Sequence, residues 1–185
     1  RVEEASIKIP AVTSQISTPV TWHMIGHIQS RKARDVVPLF SVIQSVDSLK
    51  LANKLSSSAV EQNRQLRILL EVNISGEESK DGVQAFGWRS NAARFQDLLN
   101  VIRQIMDLPA LHLHGLMTMA PIVETMEQTR PIFADLAALR DALQQSLGMA
   151  LPELSMGMTD DYPVAVEEGA TMIRVGRAIF GNRVK

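Results

Sequence analysis

The feature that most constrains the fold is a regular alternation of short β-rich runs with longer segments of helical periodicity. Six β-rich runs occur, at residues 21–28, 39–46, 67–74, 111–119, 151–158 and 171–175. Strands that alternate with helices of this length form parallel sheets through right-handed crossovers. The sequence therefore predicts an α/β fold built on a parallel sheet.

Capping residues and breakers mark the ends of the predicted helices. Asp47 is predicted to cap the helix after the second run, and Ser90 the helix before the fourth run. Pro131 lies in the first turn of the next helix, and Gly148 closes that helix. A helix at the start of the chain is expected to end near Pro10.

Two arrangements of the parallel sheet compete, an open doubly wound sheet and a (β/α)8 TIM barrel. No GxGxxG turn follows the first run, which weakens the dinucleotide-binding form of the open sheet. A complete barrel takes about 250 residues. Six units in 185 residues favour an incomplete barrel with about six of eight strands. We expect one domain, residues 1–185, that lacks its first two βα units.

Composition excludes several classes of partner. Lys and Arg number 19 against 20 Asp and Glu, so there is no electrostatic reason to expect a nucleic acid or a membrane. The absence of cysteine rules out disulfides and thiolate metal sites, and it fits a cytoplasmic location. His112 and His114 share one face of a strand but lack a third ligand, so no metal site is predicted.

Polar residues gather at or just beyond the carboxyl ends of the predicted strands, where ligands bind in both arrangements. Loops are polar in any case, so this clustering alone does not specify a ligand. The residues concerned are His23, Gln29, Ser45, Asp47, Asn73, Ser75, Thr118, Ser155, Thr159 and Arg174.

The last two runs point more specifically to a phosphate site, which barrels often build from their final two loops. Gly157 lets the backbone approach a ligand, and Thr159 offers a hydroxyl near the start of a helix. Arg174 places a cation at the mouth, and Gly176 exposes backbone N–H groups. In the alternative interpretation the glycines only make tight turns, Thr159 only caps a helix, and Arg174 pairs with a surface aspartate.

Five sequence blocks then carry a resemblance over nearly the whole chain. They occur in order at residues 22–32 (WHMIGHIQSRK), 72–82 (VNISGEESKDG), 114–121 (HGLMTMAP), 154–161 (LSMGMTDD) and 171–181 (TMIRVGRAIFG). These blocks resemble the signature blocks of the YggS/PROSC family of pyridoxal 5′-phosphate (PLP) homeostasis proteins. The resemblance implies an alanine-racemase-like, fold-type III barrel with PLP at the carboxyl ends of its strands.

The resemblance also implies roles for single residues. Thr159 would hydrogen-bond the PLP phosphate, where the family usually has Ser, and the N–H groups of Gly176 and Arg177 would hold other phosphate oxygens. Arg174 would face the pyridine nitrogen. The further residues expected to bind the cofactor are Ser155, Gly157, His23 and Asn73.

One departure from the family pattern lies at the front of the chain. The family carries its Schiff-base lysine in a block that resembles AVSKxxP, followed by a block that resembles FGEN, and neither occurs here. We therefore expect the chain to begin just after the second block, and we assign no Schiff-base residue. The lysines present are Lys8, Lys32, Lys50, Lys54, Lys80 and Lys185.

Three functions follow as hypotheses. The resemblance implies a monomeric PLP-binding protein that buffers the cofactor or delivers it to PLP-dependent apo-enzymes, without catalytic activity of its own. The second hypothesis is a PLP-dependent amino-acid racemase, which in this fold needs a tyrosine base from another domain. Tyr162, the single tyrosine of the chain, lies just beyond the predicted phosphate loop and does not come from another domain. The sequence therefore favours the carrier over the racemase. The third is a barrel that binds another phosphorylated metabolite.

Overall fold

The structure, a computed structural model, describes residues 1–181. Its helices are α1 (Val2–Thr13), α2 (Ala33–Val36), α3 (Leu49–Glu61), α4 (Ala92–Met106), α5 (Arg130–Leu147), α6 (Tyr162–Glu167) and α7 (Arg177–Phe180). Short 3₁₀ turns occur at Ser30–Lys32 and Met126–Thr129. Its strands are β1 (His23–Met24), β2 (Val42–Val46), β3 (Leu66–Asn73), β4 (Val83–Gln84), β5 (Leu111–Met117), β6 (Glu153–Met158) and β7 (Met172–Arg174).

The strands form one parallel sheet in the order β1-β2-β3-β5-β6-β7. Each of the six predicted runs contains a strand of this path. Strand β4, a two-residue strand that pairs with the end of β3, was not predicted. It is short and follows a polar loop, so it has no run of apolar residues that could mark it. Successive neighbours along the path are joined by crossovers, as the alternating pattern predicts.

The sheet is curved, so that strands far apart in its order contact each other across the concave side. Ser155 on β6 donates a hydrogen bond of 2.6 Å to Gln44 on β2, although β3 and β5 lie between these strands in the sheet. Gln44 also reaches the sulfur of Met172 on β7, at 3.7 Å. Side chains of a flat sheet could not bridge three strand spacings of about 4.8 Å each. The sheet is therefore a half-barrel.

The main core lies between the convex side of the half-barrel and the helices. Ile43, Ile68, Leu70 and Leu154 pack there from the strands. The helices supply buried residues to the same cluster, among them Leu51, Leu55, Leu99, Ile102, Leu136 and Leu139. Because strand side chains alternate, the residues between the strand members of this cluster, such as Gln44, Glu71 and Ser155, face the concave side. Within the described residues, no helix is both long enough and apolar enough to cross a bilayer.

One predicted helix end and two predicted caps are wrong, by one to three residues. Helix α1 continues through the exposed Pro10 to Thr13, so the proline lies in the C-terminal part of the helix and does not end it. Ser48 caps α3 by accepting from the Leu51 N–H, and Asn91 caps α4 in the same way. The predicted cap Asp47 instead accepts a hydrogen bond from the Ser48 hydroxyl.

Gly115 allows β5 and β6 to approach closely, which generates a prediction. A Cβ atom at this position would lie 1.8 Å from the carbonyl oxygen of Glu153, a backbone atom that cannot rotate away. We expect Gly115→Ala to lower the free energy of unfolding by about 3 kcal/mol, the upper range for overpacking. Gly26→Ala is the control, since its nearest neighbour is the flexible end of Met24 at 3.9 Å. Equal midpoints for both variants in urea denaturation would contradict the close approach.

Candidate functional site

A cavity of about 350 Å³ lies at the carboxyl ends of β6 and β7. It brings together four of the residues predicted from the sequence, Thr159, Arg174, Gly176 and Arg177. The segment after β5 closes the other side with Ala120, Pro121, Ile122, Val123, Glu124 and Met126. The predicted convergence of two neighbouring loops on one cavity is therefore present.

The turn from β6 to α6 holds Thr159 at the edge of this cavity. Gly157 has φ +89°, and a Cβ atom there would lie 2.6 Å from the Cβ of Ala165 on α6. The glycine is thus required for the close packing of α6 against the end of β6, beyond any contact with a ligand. The buried Asp161 accepts a 2.6 Å hydrogen bond from the Met158 N–H, which closes the turn.

Arg174 ties together the ends of three strands. Its guanidinium donates to the carbonyl oxygen of Ser155 at 2.9 Å, to the Ser155 hydroxyl at 2.8 Å and to the carbonyl oxygen of Thr118 at 2.9 Å. Burial lowers the pKa of Arg174, and the nearby carboxylates of Glu71 and Asp161 oppose that shift. Within residues 1–181 the Nε–H and one Nη2–H of Arg174 have no acceptor, so two of its five N–H donors remain for a ligand.

A chain of hydrogen bonds continues from Arg174 across the concave side. Ser155 donates to the Gln44 side-chain oxygen, and the Gln44 amide nitrogen lies 2.8 Å from Nδ1 of His23. Burial, followed by the charge of Arg67, lowers the pKa of His23. Gln44 was not predicted from the sequence. A polar residue at a concave position of an otherwise apolar strand is the signal that would have found it.

The other cation of the cavity, Arg177, forms an ion pair with Asp160 between the last two loops. Arg174 makes no ion pair among the described residues, so the alternative of a surface arginine paired with Asp160 or Asp161 is wrong. With Asp160 paired to Arg177 and Asp161 bonded to backbone, both aspartates of the cavity already have partners.

Two sets of predicted or candidate residues lie elsewhere. The amide of Asn73 is used by the loop after β3, where it donates to the Glu77 carbonyl and accepts from the Gly76 N–H. Asn73 does not line the cavity, and its contact with a cofactor stays a prediction. No lysine of residues 1–181 lines the cavity either. Lys80, in the loop after β3, donates a hydrogen bond to the Met119 carbonyl oxygen. Lys185 lies outside the described residues.

Glu71 is a second residue that the sequence analysis missed. It lies on β3, faces the concave side and is only 4% exposed. No group in residues 1–181 donates a hydrogen bond to its carboxylate. Burial, reinforced by the negative charges of Asp47 and Asp81, raises the pKa of Glu71 to about 7. Arg174 attracts the charged form but only partly offsets this shift.

Comparisons with known proteins agree with the geometry. A family model described as "Alanine racemase, N-terminal domain" matches residues 2–184. The pyridoxal phosphate homeostasis protein of Aquifex aeolicus is 39% identical over 162 residues, which cover 88% of this chain and 67% of that protein. The protein of the same name from Synechocystis is 38% identical over 184 residues, 100% of this chain and 79% of that protein.

Solved structures show the same relationship. PipY of Synechococcus elongatus with PLP bound matches with a TM-score of 0.81 and 37% identity, over 98% of this chain and 79% of PipY. The structure of PipY without PLP gives a TM-score of 0.84. An alanine racemase of Clostridium difficile, 14% identical over 93% of this chain and 42% of the racemase, has a TM-score of 0.68. At that identity the likeness shows the fold alone, and it confirms the predicted barrel type.

The buried carboxyl of Glu71 generates a prediction about stability and pH. Because its pKa is about 7 in the folded chain and 4.5 ordinarily, the unfolded chain loses this proton first as pH rises. The folded state is therefore destabilised progressively between pH 4.5 and 7, by about 3 kcal/mol for this group. We expect the free energy of unfolding of Glu71→Gln, relative to that of the original chain, to rise by about that much from pH 4 to pH 8. Urea denaturation measures it, with EDTA present so that no metal ion contributes.

Glu61→Gln, at the exposed end of α3, is the matched control and is expected to leave the pH profile of stability unchanged. If the curves of the Glu71→Gln variant and the original chain ran parallel across this range, the assignment of a raised pKa to Glu71 would be wrong.

Proposed function

Since this chain belongs to the family of pyridoxal phosphate homeostasis proteins, built on the alanine racemase N-terminal domain, we propose that it binds PLP in the cavity between β6 and β7. The single observation that carries this proposal is the convergence of Thr159, Arg174, Gly176 and Arg177 on one cavity. The solved complex of PipY with PLP supports it.

The donors around the cavity fit a phosphate group. The Thr159 hydroxyl lies on one loop, and the N–H groups of Gly176 and Arg177 begin α7 on the other. The first N–H groups of a helix have no acceptor within the helix, so they are available to an anion. The lining also includes two cations, Arg174 and Arg177, and Asp160 and Asp161 already have partners. Glu124 is the third carboxylate of the lining, so the phosphate would depend on the hydrogen-bond donors more than on net charge. These donors would hold the phosphate.

Arg174 would meet the ring of the cofactor through one of its two remaining N–H donors. Bound PLP supplies a reactive aldehyde and a pyridine ring that can draw electrons from attached groups. A guanidinium stays protonated and can only donate, so it would keep the ring nitrogen unprotonated and weaken the ring as an electron sink. The bonds from Arg174 to Ser155 and Thr118 hold the guanidinium in a defined orientation.

This property supports a binding protein over a dedicated enzyme. We further propose that the chain acts in the cytoplasm as a monomer, where it buffers PLP or delivers it to PLP-dependent apo-enzymes. The racemase hypothesis needs a second base at the cofactor, and Tyr162 does not line the cavity. Incubation of the chain with PLP and isotopically labelled L-amino acids tests this part. Sustained exchange of the α-hydrogen would overturn the carrier in favour of an enzyme.

The proposed phosphate contact generates a direct prediction for Thr159. Thr159→Val removes the hydroxyl and keeps the shape, so it deletes a hydrogen bond to a charged group worth about 1.5–3 kcal/mol. We expect the Kd for PLP to rise about tenfold to a hundredfold, measured by the change of PLP absorbance on titration. Thr18→Val, at an exposed position between α1 and β1, is the matched control and should bind as the original chain does.

Two outcomes would contradict the assignment. Equal PLP affinity in Thr159→Val and Thr18→Val would move the phosphate away from the β6–α6 turn. Binding of inorganic phosphate at this site without any affinity for PLP would support the third hypothesis, a barrel for another phosphorylated metabolite.

A further inference from the structure

A second cluster of polar side chains lies at the mouth of the half-barrel, and none of its members lines the cavity of Thr159. His27 follows β1, Asp47 follows β2, and Asp81 lies just before β4. Nδ1 of His27 is 3.4 Å from Oδ2 of Asp47 and 3.2 Å from Oδ2 of Asp81. The three ligand atoms all lie within 4.8 Å of one another.

These separations suit a small divalent cation. Zinc is held by imidazole nitrogen and carboxylate oxygen at about 2.0–2.2 Å, so two ligand atoms at a tetrahedral angle lie roughly 3.3–3.6 Å apart. Of the two distances from His27 to the carboxylates, 3.4 Å lies within this range and 3.2 Å lies just below it. One imidazole with two carboxylates is a donor set that favours zinc over magnesium, which prefers oxygen ligands alone.

The buried carboxylate of Glu71 is an independent observation at the same place. Glu71 is 4% exposed, lies on β3 between β2 and β5, and has no hydrogen-bond donor among residues 1–181. Its neighbour Leu70 pairs with Val46 and its neighbour Val72 pairs with Val83, so Glu71 lies at the level of the sheet where Asp47 and Asp81 flank it. Unpartnered buried carboxylates are rare, because desolvation is costly unless a cation or a proton neutralises the charge.

The hydrogen bond from Ser48 orients one ligand of the cluster. The Ser48 hydroxyl donates to Oδ1 of Asp47 at 2.7 Å, which leaves Oδ2 directed to His27. Metal-binding carboxylates are commonly held by such a partner on the oxygen that does not bind the metal. Two carboxylates around one imidazole also give negative charge that a cation would neutralise.

We propose that His27, Asp47 and Asp81 form a binding site for a divalent cation of the zinc type, backed by the buried carboxylate of Glu71. The site goes beyond the proposed PLP function and does not depend on it. The rival explanation is a protonated His27 that bridges the two aspartates with no metal bound.

The test is a calorimetric titration of the EDTA-treated and desalted chain with Zn²⁺. His27→Gln and Asp81→Asn remove one ligand each at exposed positions, so the fold should survive, which circular dichroism checks. His112→Gln is the matched control, an exposed histidine at the opposite end of the half-barrel that bonds to Gln65. We expect one equivalent of Zn²⁺ in the original chain and the control, and affinity weaker by about tenfold or more in both variants.

Absence of saturable one-to-one binding in the original chain would overturn the site and leave the protonated His27 bridge as the explanation. Unchanged Zn²⁺ affinity in both His27→Gln and Asp81→Asn would overturn it as well. PLP titration of the same samples separates the two proposals, because Thr159→Val is expected to weaken PLP without changing Zn²⁺ binding.

Discussion

The curvature of the parallel sheet is the constraint on which the rest of the structure depends. It lets Ser155 on β6 donate a hydrogen bond to Gln44 on β2. The same Ser155 hydroxyl accepts from the guanidinium of Arg174 on β7, so the three strands are linked. Hydrogen bonds that involve a charged group contribute about 1.5–3 kcal/mol each, so a half-buried arginine with three acceptors holds the strand ends firmly. The position of the Thr159 cavity follows from this arrangement, because its two loops leave the strands that Arg174 ties together.

The two sides of the mouth of the half-barrel carry different charged groups. The ends of β6 and β7 combine two arginines with aspartates that already have partners, whereas the ends of β2 and β3 bring together Asp47, Glu71 and Asp81. The first side suits a phosphate group and the second a cation, and His23 and Gln44 lie in the chain of hydrogen bonds that leads away from Arg174. Both sides use the rule that parallel strands gather their carboxyl ends at one edge, where loops carry the polar residues.

Some interior positions of the strands are both buried and polar, and a hydrophobicity pattern alone does not identify them. Gln44, Glu71 and Ser155 are buried as fully as their apolar neighbours, yet each faces the concave side and carries a polar group. Ser155 was predicted from its place near the end of a strand and from its sequence block. Gln44 and Glu71 were not predicted, because the groups that surround them lie on or beside other strands and only the folded sheet brings them near.

The sequence by itself determined the α/β class, the parallel order of units and the incomplete barrel, because alternating strands and helices admit few topologies. Its ordered blocks also determined the family and the residues of the last two loops, since these positions are local to single strand ends. Only the tertiary structure decided which strand ends share a cavity, that Arg174 bonds to Ser155 and Thr118, and that Asn73 serves its own loop. It also brought His27, Asp47 and Asp81 together. The physical reason is curvature, which sets distances between residues that no local pattern relates.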